Sequence, residues 1–291
     1  MLIRKARDIL SLLRRDPDAP DSSAARARER QRRIALSAIA AAFAKGTSVL
    51  TALVSVPLTY KYLGEERYGL WITISSVFMM MAFADLGLGN GLVNRLAEAY
   101  GKDDRASASK YVSTAFFLLL GIAVVLSGFF FILYPKLNWE TLFKLTSKEA
   151  ISEAGPAVSV FAACFLIHLP FGVVRRIQMG FQEGFSNSLW SIGGNIIALI
   201  GIVWAVNVKA GLPWLVLAMA GGPLLATILN GIAVVIQRRW LMPSWHQFDL
   251  GAAKSLFKLG ILFFILQVTF ALTNVSDNVI IANVISNAAA V

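Results

Sequence analysis

Lys45, Asp85, His168 and Asp277 are ionisable residues that lie inside long apolar stretches of the chain. A charged side chain within membrane hydrocarbon costs about 3 kcal/mol or more, so such residues are candidates for ion pairing, proton transfer or ligand binding. Lys45 and Asp85 can neutralise each other as a structural pair. Alternatively, they form a switch in which protonation of the carboxylate releases the lysine.

The depths of these residues suggest one shared polar layer. At a rise of 1.5 Å per residue, Lys45 lies about 16 Å, Asp85 about 12 Å and His168 about 10 Å from the same membrane face. We therefore expect Lys45 and Asp85 to meet. His168 either joins them as a group that titrates near neutral pH or is a hydrogen-bonded core histidine. Asp277 gives the last apolar stretch a polar face, and its role stays open.

Gly87, Gly89 and Gly91 follow Asp85 within a few residues. Three glycines at this spacing weaken a helix, permit close backbone packing and free carbonyl groups beside the acid. The segment is predicted to be either a packing seam or a hinge. It is not a phosphate-binding loop, because no lysine-serine pair or preceding strand accompanies it.

The elements that carry these residues are unusually apolar. Of 291 residues, 57% are hydrophobic and 15% charged, against about 25% charged in a soluble domain. A helix needs about 20 apolar residues to cross a bilayer, and seven segments reach or approach that length. They are Ile34–Thr59, Gly69–Val93, Tyr111–Tyr134, Ala154–Val174, Asn187–Val206, Leu212–Ile236 and Leu256–Ile285. Because open backbone cannot face lipid, we predict an all-α polytopic membrane protein with about seven spans.

Basic residues are concentrated on one side of these spans. The amino-terminal tail and every second connection hold 20 of the 27 lysines and arginines, and the alternate connections hold six. This bias predicts a cytoplasmic amino terminus. It also explains the net charge of +10 without a nucleic-acid partner. Residues 1–33 form the predicted cytoplasmic basic segment, whose start is either an amphipathic helix on anionic headgroups or a mobile tail.

Residue types for catalysis or redox chemistry are scarce. Cys164 is the single cysteine, which excludes an internal disulfide or a cysteine-based zinc cluster. The sequence has two histidines and contains no HExxH, GxSxG or acidic metal-binding motif. We therefore expect a protein that is not an enzyme and that carries no metal or cofactor.

Two segments resemble a known family of transporters. Residues 62–71 read YLGEERYGLW and follow the first span, and residues 84–95 read ADLGLGNGLVNR and close the second. Together they resemble the polysaccharide-transporter branch (Wzx-like O-antigen flippases) of the multidrug/oligosaccharidyl-lipid/polysaccharide (MOP) exporter superfamily. Residues 112–115, VSTA, also fit this pattern.

The resemblance implies two six-helix lobes with alternating access around a central cavity. On that basis residues 34–236 are the first membrane lobe, 237–255 a cytoplasmic connection and 256–291 the first helix of a second lobe. Because most of a second lobe has no counterpart here, we expect the chain to be a fragment or a shortened form of a larger transporter.

The same resemblance implies translocation of a polyprenyl-diphosphate-linked oligosaccharide across the cytoplasmic membrane, driven by a proton or sodium gradient. Candidate substrate-binding residues are Lys45 as the central cation and Arg95, Arg175 and Arg176 at a basic mouth. Candidate ion-coupling residues are Asp85, His168 and Asp277. Expected partners are the lipid-linked oligosaccharide, membrane lipids, and a polysaccharide polymerase or glycosyltransferases.

Three other interpretations stay open. A multidrug cation antiporter of the same superfamily needs an acidic, aromatic cavity. A polytopic glycosyltransferase or polymerase needs a large outer loop with acidic or arginine residues, and the connection Pro135–Glu153 is short. A membrane scaffold that transports nothing is the third.

Overall fold

The computed structural model describes residues 23–80 and 83–288, with side chains at 31–32, 34–76 and 83–269. Every regular element in this described part is helical, which confirms the all-α prediction. The predicted basic segment before residue 23 lies outside the described residues. The α-helices are α1 (Ser23–Met80), α2 (Leu88–Gly101), α3 (Arg105–Leu133), α4 (Trp139–Phe143), α5 (Lys148–Gly180), α6 (Gly184–Asn207), α7 (Leu212–Gln237) and α8 (Leu250–Ala288).

Six helical segments of the described part are long and apolar enough to cross a membrane, as expected for a polytopic protein. They are Ile34–Ser76, Arg105–Lys136, Lys148–Gly180, Gly184–Asn207, Leu212–Gln237 and Leu250–Thr269. The first contains 43 residues, about twice the length that one span requires. It holds the first predicted span and the start of the second.

Two backbone breaks divide this amino-terminal region. Within α1, Gly64 has φ 74° and ψ 178°, a conformation that only glycine adopts without strain. A second break follows α1, where residues 83–87 form a short turn and both Leu86 and Gly87 have positive φ. The predicted second span, Gly69–Val93, is therefore not one continuous helix.

The helices meet in two buried apolar clusters. The first cluster lies where α2, α3 and α5 meet the start of α8, and its fully buried members include Leu92, Val112 and Leu256. The second cluster joins α1 to α5, α6 and α7 through residues such as Trp71 and Leu215. Because α5 and α7 both contribute to the two clusters, these helices connect the two parts of the bundle.

Small residues bring α6 and α7 close together. A Cβ atom added to Gly222 would lie 2.7 Å from the backbone nitrogen of Ala198, and one added to Gly194 would lie 3.0 Å from the Cα of Pro223. Close approach at small residues is typical of helix pairs in membranes, where packing rather than exclusion of water holds helices together.

The segment YLGEERYGLW fastens one end of the bundle. The Tyr62 hydroxyl donates to the carbonyl of Ala210, before α7, at 2.7 Å. The Arg67 guanidinium donates two hydrogen bonds to Glu153 of α5, at 2.8 and 2.9 Å. Glu66 accepts from backbone N–H groups at the amino terminus of α5. These contacts give the segment a structural role that sequence analysis did not assign.

Candidate functional site

A cavity of about 790 Å³ lies among α1, α5, α6 and α7. Two cationic side chains, Lys45 and Arg175, line it together with the imidazole of His168. Its described lining contains no aspartate or glutamate. The cavity is therefore a site of positive potential, which favours an anionic ligand.

Uncharged polar groups and indole rings complete the lining. Hydroxyl and amide side chains include those of Ser48, Ser55, Asn187, Ser191, Asn195 and Thr227. Such groups donate and accept hydrogen bonds. Trp71 and Trp190 add two flat apolar surfaces. The combination suits a ligand that is anionic in one part and rich in hydroxyl groups in another.

Helical periodicity explains why these residues share one surface. On α1, Lys45, Ser48 and Ser55 recur at intervals of three and seven residues, and on α5, His168 and Arg175 are seven residues apart. Residues at these spacings lie on the same face of a helix. The regular spacing of polar residues on α1 is visible in the sequence and places them on one face of the helix, which depth along a span does not specify.

Asp85 lies outside the cavity and pairs with Arg176. The carboxylate Oδ2 is 3.3 Å from the Arg176 guanidinium, which also donates to the amide oxygen of Asn90 at 2.9 Å. The other carboxylate oxygen accepts from the backbone N–H of Gly87 at 2.9 Å. The pair is partly buried, with side-chain exposures of 24% for Arg176 and 14% for Asp85.

The predicted contact between Lys45 and Asp85 is wrong in this structure, because Asp85 faces Arg176 while Lys45 lines the cavity. Depth along a span does not specify the direction in which a side chain points. Arg175 and Arg176 illustrate the same point, since consecutive residues of a helix are about 100° apart. Arg175 faces the cavity, and Arg176 faces the turn that precedes α2.

The three predicted glycines lie at close contacts around this ion pair. A Cβ atom at Gly89 would overlap the Arg176 guanidinium, and one at Gly87 would overlap the carbonyl oxygen of Gly260 in α8. A Cβ atom at Gly91 would lie 2.9 Å from the carbonyl oxygen of Leu256, also in α8. Glycine is required at these positions for α2 to approach α5 and α8 so closely.

Arg95 is not part of the cavity lining either. Its guanidinium donates to the hydroxyl of Ser255 in α8 at 2.9 Å and to Glu98 at 2.9 Å. Hydrogen bonds from Lys102 and Arg95 lower the pKa of Glu98 below its ordinary value. Arg95 thus links α2 to α8. The Asp277 side chain lies outside the described residues.

Sequence analysis missed a buried amide pair, one member of which, Asn230, lines the cavity. Gln178 of α5 donates to the side-chain oxygen of Asn230 in α7 at 2.7 Å, and Asn230 donates back to Gln178 at 3.0 Å. Both residues are about as buried as the apolar core, at 2% and 3% exposed. Uncharged amides within apolar spans are the signal that marks such a pair.

Comparison with known proteins identifies the chain's relatives. A family model described as polysaccharide biosynthesis protein matches residues 35–291. A putative O-antigen transporter of Salmonella typhi is 28% identical over 142 residues, which are 47% of this chain and 32% of that protein.

Solved structures show the same fold. An outward-facing multidrug resistance MATE family transporter of the MOP superfamily superposes with a TM-score of 0.69 and 16% identity, over 84% of this chain and 54% of that one. A MOP superfamily transporter from Pyrococcus furiosus, described as having a binding pocket of reversed polarity, gives 0.69 and 16% over 90% and 55%. The chain thus spans about half the length of each solved transporter and about one third of the Salmonella protein.

The TM-score of 0.69 to both solved chains shows that this chain has the fold of these MOP transporters. The family model covers well over half of the sequence. The chain belongs to the polysaccharide biosynthesis protein family.

Proposed function

We propose that this chain forms the substrate-binding part of a flippase for a polyprenyl-diphosphate-linked oligosaccharide. The observation that carries the proposal is the cavity whose charged lining consists of Lys45 and Arg175. A diphosphate is best bound by cationic donors at short range. Hydroxyl and amide groups in the same cavity match the hydroxyl-rich sugar, while the polyprenyl chain stays in the lipid.

Other parts of the proposal concern topology and organisation. The excess of basic residues supports a cytoplasmic amino terminus, and we place the protein in the inner membrane. Residues 34–236 form one lobe in this proposal, 237–255 a cytoplasmic connection and 256–291 the start of a second lobe. The Salmonella relative supports an O-antigen or polysaccharide repeat unit as the substrate. A polymerase and glycosyltransferases are the expected neighbours in that pathway.

Asp85 is our candidate for ion coupling. Protonation would remove the charge that holds Arg176, so the turn between α1 and α2 would lose its ionic contact to α5. That turn also packs against α8 through Gly87. Proton binding at Asp85 would in this way change how α8 is held, which is the kind of differential contact that coupling requires.

Export of surface glycan by cells that carry chromosomal substitutions tests the proposal. Lys45→Ala and Arg175→Ala each remove a charge-assisted contact worth about 1.5 to 3 kcal/mol, so we expect export to fall by roughly 10-fold or more. Lys61→Ala is the matched control, because Lys61 is also an exposed lysine of α1 but does not line the cavity. Unchanged export in both cavity variants would contradict the proposal.

A multidrug cation antiporter is the competing function within the superfamily. The basic lining of the cavity argues against it, since an organic cation would be repelled by Lys45 and Arg175. Expression in a host that lacks its own drug pumps decides between the two. The flippase proposal predicts no gain of resistance to cationic drugs, and a gain that depends on an acidic residue would favour the antiporter.

A further inference from the structure

A second groove lies between α3 and the connection that leads to α8. It has a volume of about 470 Å³ and an apolar lining. Phe117, Gly121 and Val125 of α3 form one wall, and Trp245 and Phe248 of the connection form the other. The groove shares no lining residue with the cavity of the proposed flippase. It is therefore a separate feature of the described structure.

The walls of this groove are held in place by ring stacking and hydrogen bonds. The Trp245 and Phe248 rings stack with centroids 5.3 Å apart, and Phe117 meets Trp245 edge-on at 4.9 Å. The hydroxyl of Ser109 on α3 donates to the Gln247 side chain at 2.5 Å. The connection is thereby fastened to α3, and the groove is formed before any ligand arrives.

The groove opens toward the bilayer. Val125 is 71% and Trp245 66% exposed, and α3 belongs to a candidate span with mean hydropathy 2.8. Tryptophan at the end of a span commonly lies at headgroup level. The groove therefore runs from the level of the headgroups, at Trp245, into the hydrocarbon, at Val125.

An exposed lysine lies on the face of α3 that leads to the headgroup end of the groove. Lys110 is exposed and lies seven residues before Phe117, about 10 Å along the same face of α3. Arg239 of the connection is exposed as well. The neighbouring acid, Asp249, already accepts the backbone N–H of Ala252 at 2.6 Å and caps α8.

We propose that this groove binds one acyl chain of an anionic phospholipid, with the lipid phosphate beside Lys110. A resident phospholipid fits better than the polyprenyl chain of the transported substrate. That chain is tied to a diphosphate held in the cavity, and no described residue of α3 lines that cavity. The basic surroundings select an anionic headgroup, and each cation near a membrane surface favours an anionic lipid by about fivefold.

Native mass spectrometry of the protein released from nanodiscs with equal phosphatidylglycerol and phosphatidylcholine tests this proposal. We expect wild-type protein to retain phosphatidylglycerol over phosphatidylcholine by about fivefold or more. Gly121→Leu should abolish retention of both lipids, because a Cβ atom there meets no protein atom within 4 Å and the leucine fills only the groove. Val125→Phe blocks the same groove from its exposed wall.

Two further variants separate the chain from the headgroup. Gly128→Leu is the matched control, since Gly128 is on the same helix, also has open space at its Cβ and does not line the groove. Lys110→Gln should keep lipid bound but lower the preference for phosphatidylglycerol by about fivefold. Retention that persists in both Gly121→Leu and Val125→Phe would overturn the proposal. Displacement of the bound phospholipid by added polyprenyl phosphate would overturn it as well.

Discussion

Replacing Gly87 by alanine should destabilise the protein more than the same replacement at Gly64. Both glycines have φ 74°, so an alanine at either position is strained. Only Gly87 meets another helix, where a new Cβ atom would overlap the carbonyl oxygen of Gly260 and lie 2.9 Å from its carbonyl carbon. Nothing lies within 4 Å of a Cβ atom at Gly64.

The magnitude follows from two contributions. A left-handed conformation costs a non-glycine residue about 1 to 2 kcal/mol. The new Cβ atom would overlap the Gly260 carbonyl oxygen by about 1 Å, because a carbon atom and a carbonyl oxygen in contact are normally about 3.3 Å apart. The two helices α2 and α8 would therefore have to separate by about 1 Å, at a cost of about 1 to 3 kcal/mol. We expect a total of about 2 to 5 kcal/mol at Gly87, against about 1 to 3 kcal/mol of backbone strain at Gly64.

Thermal unfolding in detergent, followed with a fluorogenic maleimide, measures the difference. Cys164 is the single cysteine, and although it lines the cavity it is only 6% exposed, so dye labelling accelerates on unfolding. Gly87→Ala should lower Tm by on the order of 10 °C. Gly121→Ala, a helical position with open space and no positive φ, should leave Tm unchanged or raise it slightly. A loss at Gly87 no larger than that at Gly64 would refute the close contact with α8.

Two further predictions concern contacts between helices. Gln178→Leu and Asn230→Leu should each destabilise the protein by about 1 to 3 kcal/mol, because the remaining buried amide loses its partner. The double variant should cost less than the sum of the two single losses. Additive losses in the same dye assay would contradict the reciprocal pair. Arg67→Gln should lower the free energy of unfolding by about 1 kcal/mol. The loss is modest because the side chains of Arg67 and Glu153 are 18% and 20% exposed. Combining Arg67→Gln with Glu153→Gln should cost little more. Independent effects at these two positions would show that the bidentate contact contributes nothing.

The sequence predicts the helical spans well where apolar runs are long and uninterrupted. The predicted Asn187–Val206 and Leu212–Ile236 differ from the observed Gly184–Asn207 and Leu212–Gln237 by only a few residues. Hydrocarbon requires continuous apolar helix, so composition alone marks these segments. Helix ends extend further in the structure because polar residues continue a helix once the span has begun.

The arrangement of the charged residues could not be predicted in the same way. Lys45 and Asp85 are at similar predicted depths, yet the turn before α2 directs Asp85 to Arg176. Partner choice depends on which helices are neighbours and on the direction of each side chain, and a single sequence specifies neither. The polar wall that α1 contributes to the cavity can be predicted from the sequence, because the spacing of Lys45 and Ser48 places them on one face of the helix.

Binding of a labelled polyprenyl-diphosphate oligosaccharide to the purified protein in nanodiscs tests the central claim most directly. The Kd should rise by roughly 10-fold or more in Lys45→Ala but not in Lys61→Ala. The same oligosaccharide on an uncharged polyprenol should bind weakly to wild type and to Lys45→Ala alike, because the lysine then has no phosphate to contact. Equal affinity for the charged and uncharged lipids, or a Kd that is indifferent to Lys45, would contradict a cavity built to hold a lipid-linked diphosphate.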